Sequence, residues 1–130
     1  MQLVYDRQCP VCDFYCQRID VADSAGELVR VDARERSAIM DEVTATGLDI
    51  DEGMVLKVDD TIFYGSDAIH ALALRSSRKG FVNRVAFWIF RSKTAARVLY
   101  PVLAACRKLL LRILGRTRIN NLNIEDNDRF

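Results

Sequence analysis

Short apolar runs rich in β-branched residues alternate with segments whose apolar residues recur every three or four positions, and this alternation restricts the first 76 residues to a mixed α/β fold. Gln2 to Tyr5 is a strand-like run that ends at Asp6. Cys9 to Ala22 predicts a helix with Cys12, Tyr15, Cys16 and Ile19 on one face. LVRVDA (28–33) predicts a second strand, and RSAIMDEVTATG (36–47) a helix with the stripe Ile39, Met40, Val43 and a stop at Gly47. GMVLKVDDTIFYG (53–65) has the pattern of a hairpin turning at Asp59-Asp60, and SDAIHALALRS (66–76) that of a helix capped by Ser66 or Asp67. The order β-α-β-α-β-β-α describes two parallel strands joined by a right-handed crossover, then an antiparallel hairpin, with helices covering the sheet.

At 130 residues the chain is long enough for one domain with its own core and too short for two ordinary ones. A net charge of +1 hides a division: Met1 to Asp67 holds six basic residues against fifteen acidic, whereas Ala68 to Ile124 holds twelve basic residues and no acidic one. We therefore expect a core over 1–76, a basic apolar helical extension packed on it over 77–118, and a polar tail over 119–130. The opening MQLVYDRQ carries no basic leader and apolar run of a secretory signal. Three of the four cysteines (9, 12, 16 and 106) crowd into eight residues, a spacing that suits chemistry in a reducing, cytoplasmic setting better than structural stapling.

Cys9-Pro10-Val11-Cys12 sits between the first strand and the first helix. A cysteine at a helix start lies where free backbone N–H groups converge and the helix end is positive, which favours thiolate over thiol. Cys9 is thus the expected nucleophile, and Cys12, one turn deeper, the thiol that resolves a mixed disulfide. Pro10 suits the first helical position because its missing N–H costs nothing there. Asp6, three residues before Cys9, either braces the loop or accepts the Cys12 proton during resolution. Cys16 reads as a buried small hydrophobe and His70 as a structural histidine. The competing interpretation of the sulfurs is zinc or an iron–sulfur cluster, with His70 or Cys106 as a further ligand; a single Cys-x-x-Cys does not make the paired knuckles of a zinc ribbon. Dithiol exchange itself needs no cofactor.

CPVC after a strand and at a helix start looks like the glutaredoxin and thioredoxin active site. The wider pattern of Asp6, Cys9, Pro10, Val11 and Cys12, with YGSDAIHAL (64–72) and LYPVLAACRKLL (99–110) downstream, more closely resembles the DCC family of thiol-disulfide oxidoreductases. The resemblance covers nearly the whole chain. It implies a thioredoxin-like, glutaredoxin-like fold, catalytic roles for Cys9, Cys12 and Asp6, and a supporting role for Gly65 and Ser66 in the GSDA segment. Its expected partner is a protein or small-molecule thiol or disulfide. Thioredoxins and glutaredoxins carry a cis-proline before the third strand, whereas this chain has only Pro10 and Pro101 and places DIDEGM (49–54) there.

The basic half carries Phe81, Val82, Val85, Ala86, Trp88, Ile89 and Phe90, then Leu99, Val102, Leu103, Cys106, Leu109, Leu110 and Ile113, at helical spacing. Neither run reaches the roughly 18 to 20 apolar residues of a membrane span. We expect most of the stripe to pack on the core, and a smaller exposed part, centred on Phe87 to Phe90, to support peripheral membrane contact or a homodimer within residues 81–116. The arginines interleave with leucines and no nucleic-acid motif accompanies them, so nucleic acid is not an expected partner. A redox-inactive domain that docks through these helices is the remaining alternative.

Overall fold

The computed structural model describes residues 1–130. Strands β1 (Gln2–Tyr5), β2 (Val29–Asp32), β3 (Val55–Val58) and β4 (Thr61–Tyr64) form one sheet in the order β2-β1-β3-β4. β1 and β2 are parallel; β3 runs antiparallel to both β1 and β4. Helices α1 (Pro10–Arg18), α2 (Ala38–Ala45), α3 (Ser66–Arg75), α4 (Phe81–Phe90) and α5 (Lys93–Ile113) complete the chain. This mixed α/β arrangement is consistent with a thioredoxin-like fold.

β1 lies inside the sheet with both faces covered, which is why Leu3, Val4 and Tyr5 are all buried. Side chains alternate across the strand: Leu3 and Tyr5 enter a cluster with Cys16, Ile19, Leu56, Leu72 and Phe90, while Val4 faces Ile39, Val43, Ile50 and Val55. Helices α1, α3, α4 and α5 thus share one face of the sheet and α2 takes the other. Phe90, Ala86 and Ala96 belong to the same cluster as Leu3, so the basic extension is continuous with the core.

Three local details differ from the sequence expectation. α1 stops at Arg18 rather than Ala22, because Ile19 is extended and Arg30 of β2 caps the helix end, donating to the carbonyls of Cys16 and Ile19, both at 2.6 Å. Gly65 is the N-cap residue of α3, and neither Ser66 nor Asp67 makes the expected capping bond. Residues 117–130 return to the domain instead of trailing: Thr117 pairs with Arg129, and Ile119 packs against the Val4 cluster. The hairpin turn at Asp59-Asp60 forms where expected, with Asp59 in the left-handed region at φ 53°.

Candidate active site

β1 ends at the sheet's edge of the site, and the chain passes through Asp6 to Cys9, the residue that caps α1. Cys9 Sγ accepts from the Cys12 N–H at 3.3 Å, Pro10 is the first helical residue, and the Cys9 N–H donates to the Asp6 carbonyl at 3.2 Å. Cys9 and Cys12 are joined as a disulfide with Cα atoms 5.2 Å apart. The sequence-expected pair is therefore brought together at the helix N-terminus. The two cysteines differ in burial. Cys9 is 0% exposed, whereas Cys12 is partly exposed and forms part of a cleft wall.

The Asp6 carboxylate is buried and gripped from two sides. Arg34 reaches it with Nε–Oδ1 at 2.8 Å and Nη2–Oδ2 at 3.0 Å, and Arg107 Nη2 stands 3.7 Å from Oδ2. The Gln8 N–H donates to Oδ1 at 2.9 Å, so the carboxylate also organises the turn leading into Cys9. The Arg34 guanidinium is held above its ordinary pKa, chiefly by the Asp6 hydrogen bond. Neither arginine was singled out from sequence, although Arg34 was open to detection: with Tyr5 paired to Asp32, Asp6 and Arg34 leave neighbouring parallel strands at the same end of the sheet.

Beside the disulfide, an apolar cleft of about 520 Å³ opens between α1 and the α4–α5 pair. Cys12, Tyr15, Met54, Phe90, Tyr100 and Leu103 are among its walls, with Cys16 and Cys106 also contributing sulfur. Cys16 is a buried core residue, as its position on the apolar face predicts, and burial pushes its thiol up to about 12. Cys106 is free and exposed. No three His, Cys, Asp or Glu side chains stand together as a group that could hold a metal ion. His70 is structural in its contacts, its Nδ1 lying 2.8 Å from the Phe90 carbonyl and linking α3 to α4.

The loop 49–54 is built from internal bonds. Asp51 is buried, and its carboxylate accepts from the Ile119 and Asn120 N–H groups at 3.0 and 2.7 Å while its carbonyl accepts from Arg107 at 2.6 Å. The Met54 N–H donates to the Tyr100 hydroxyl at 3.0 Å, and the Met54 carbonyl accepts from Gly65 at 2.9 Å. All peptide bonds here are trans. Gly65 has φ 58°, and a Cβ on it would meet the Tyr100 ring at 3.4 Å. Gly65 and Ser66 thus support the cleft indirectly, by letting α3 start close under Tyr100.

A disulfide at the first turn of a helix, set after the central strand of a mixed sheet, is the arrangement of thioredoxin-like redox proteins. The model of the DCC1-like thiol-disulfide oxidoreductase family matches residues 3–113, and the chain belongs to that family. The match takes in α4 and α5 together with the sheet. Among curated proteins and solved structures no significant match is found.

Proposed function

We propose that the protein exchanges disulfides through the Cys9-Pro10-Val11-Cys12 pair. The observation that carries this reading is the closed Cys9–Cys12 bridge at the α1 N-terminus with Cys12 in the wall of a cleft. The sequence alone favoured attack through Cys9, but the burial of Cys9 supports a different order in the oxidised protein. An incoming thiolate bonds to the more accessible Cys12 Sγ, the Cys9–Cys12 bond breaks, and Cys9 leaves as a thiolate. The Cys12 N–H and the helix N-terminus stabilise that leaving group. Attack by a second substrate thiolate on the substrate sulfur then releases substrate disulfide and leaves both cysteines reduced. In the reducing direction the mixed disulfide again sits on Cys12, and Cys9 resolves it. Asp6, with both oxygens engaged by guanidinium groups, acts here as a positioning residue for the loop.

Single serine variants test the order. Cys9→Ser should accumulate a mixed disulfide on Cys12 when challenged with a small disulfide, and mass mapping of the adduct should place it there. A stable adduct on Cys9 in Cys12→Ser, with none on Cys12 in Cys9→Ser, would restore the sequence-expected order. Failure of both cysteines to exchange would remove the redox reading.

A second reading concerns the basic helices: contact with an anionic bilayer surface. Val98, Val102, Cys106, Leu109 and Ile113 form an exposed stripe along α5, with Ile113 73% exposed, and Trp88 on α4 is 63% exposed. Exposed apolar surface therefore runs along α5 and continues on α4 at Phe81, Val85, Trp88 and Ile89, while Phe90 is buried. Arg84, Arg91, Arg97, Arg112 and Arg116 are exposed on the same two helices and just beyond, and none has a salt-bridge partner. Apolar stripes flanked by unpaired cations match the chemistry of an anionic interface. No helix is long and apolar enough to cross a membrane. Flotation with phosphatidylserine-containing vesicles at low salt, lost with neutral vesicles, is the expected result. A dimer in solution that floats with neither vesicle type would assign the stripe to self-association and overturn the bilayer reading.

A further inference from the structure

The walls of the cleft say what kind of molecule it can receive. Of its 18 lining residues 15 are apolar, and the three charged ones are already committed. Asp6 is held by Arg34 and Arg107; Arg107 also donates to the Asp51 carbonyl; Glu52 is paired with Lys108 and Arg118. A charged ligand entering here would lose hydration without finding a free counter-charge, which disfavours its binding. One polar group is uncommitted: the Tyr15 hydroxyl is buried and has no hydrogen-bond partner, in a side chain that forms part of the cleft wall. A buried hydroxyl left without a partner is uncommon and marks a place where a ligand acceptor or a water belongs. The volume, about 520 Å³, lies in the range of small-molecule sites. Val11, Ile89, Leu103 and Cys106 are exposed at its rim, so the cleft is open to solvent.

We propose that this cleft is the substrate site, and that it takes a small, uncharged apolar thiol or its disulfide, carrying an oxygen acceptor for the Tyr15 hydroxyl. The inference rests on the redox reading above and adds the substrate class. In the oxidising direction two apolar thiols bind in turn: the first bonds to Cys12 as Cys9 leaves, and the second displaces the first from Cys12. One substrate disulfide forms, two electrons pass to the protein pair, and the two thiol protons end on Cys9 and Cys12. Hydrophilic thiols such as glutathione, with its two carboxylates and ammonium group, are poor substrates because their charges find no partners in the cleft.

The test compares reduction of the oxidised protein by benzyl mercaptan, 4-acetylbenzyl mercaptan and glutathione, with rates divided by thiolate concentration. Burial of a phenyl-sized group is expected to give the benzyl thiols an advantage of about tenfold or more over glutathione. The acetyl group should add a further gain of about fivefold, lost in Tyr15→Phe while the benzyl advantage is kept. Leu103→Glu, which puts a charge at the rim, should remove most of the benzyl advantage. As a probe free of sulfur chemistry, 4-methylacetophenone should bind the Cys9→Ser/Cys12→Ser double variant, followed by chemical-shift changes at Tyr15 and Leu103. Equal rates for all three thiols, with no binding of 4-methylacetophenone, would overturn the cleft proposal and leave the redox reading standing. Binding of 4-methylacetophenone without exchange by any thiol would overturn the redox reading and, with it, the substrate assignment. An acetyl effect that survives Tyr15→Phe would overturn the hydroxyl's part.

Discussion

Asp6 and Arg34 meet as a two-point ion pair at 2.8 and 3.0 Å, at the end of two parallel strands and directly before the loop that carries Cys9. The Asp6 side chain is fully buried and that of Arg34 is 17% exposed, so the pair is shielded from the screening that weakens surface ion pairs. Removing one member leaves the other charged and unmatched. Asp6→Asn should therefore destabilise the protein by about 3 to 5 kcal/mol in urea unfolding. Preserved stability with slowed disulfide resolution would instead show Asp6 acting as a proton acceptor.

Cys16 and Cys106 should separate cleanly by reactivity. Burial, only partly opposed by Arg30, raises the Cys16 thiol from 9.0 to about 12, whereas Cys106 is exposed. Iodoacetamide at pH 8 is expected to label Cys106 in the folded protein and to reach Cys16 only after denaturant is added, as read by peptide mass mapping. A raised pKa in the fold means the contribution of Cys16 is complete below pH 9.0 and declines as pH rises toward about 12. The urea midpoint should fall over that window, and less steeply in Cys16→Ala.

Glu52 carries an acid-side counterpart. Partial burial would raise its carboxyl, but Lys108 and Arg118 outweigh that and hold it below the ordinary carboxylate value of 4.5. Its stabilising contribution is therefore present above that value and lost as pH falls through the lowered one. Because the side chain is 41% exposed, the effect is modest. Glu52→Gln should flatten the acid limb of a stability–pH curve, and amide exchange within 117–120 should quicken in the variant at neutral pH.

Gly65 tolerates little. With φ 58° and ψ −122° it occupies backbone space that L side chains rarely adopt, and a Cβ would come into contact with Tyr100. Gly65→Ala should cost roughly 1 to 3 kcal/mol in thermal or urea unfolding.

Local patterning made the elements readable: the alternation in Leu3, Val4 and Tyr5, the Ile39-Met40-Val43 stripe, and the hairpin around Asp59-Asp60 all correspond to observed strands and helices. The Cys9–Cys12 pair was equally legible, since both residues lie within one helical turn. What stayed hidden depends on residues far apart in the chain. The separation between Arg107 and Asp51 is 56 positions, and that between Tyr100 and Met54 is 46. Burial of Cys9 was hidden for a related reason: helix position sets the field at Cys9, but solvent access depends on the surrounding tertiary fold. Likewise the exposed stripe on α5 emerged only once α4 had taken its place in the core through Ala86 and Phe90.

The Asp51 carboxylate depends on two amides 68 and 69 positions further along. On a ribosome adding about 5 to 20 residues per second, its donors are made roughly 3 to 14 seconds after it. β1, α1 and β2 precede Asp51 and the β3–β4 hairpin follows it closely, so the nascent loop beneath the cleft lacks its final partners while the sheet and α1 are already made. The floor of the cleft therefore takes its final form only when residues 119 and 120 reach Asp51, after every strand and α1 have been made.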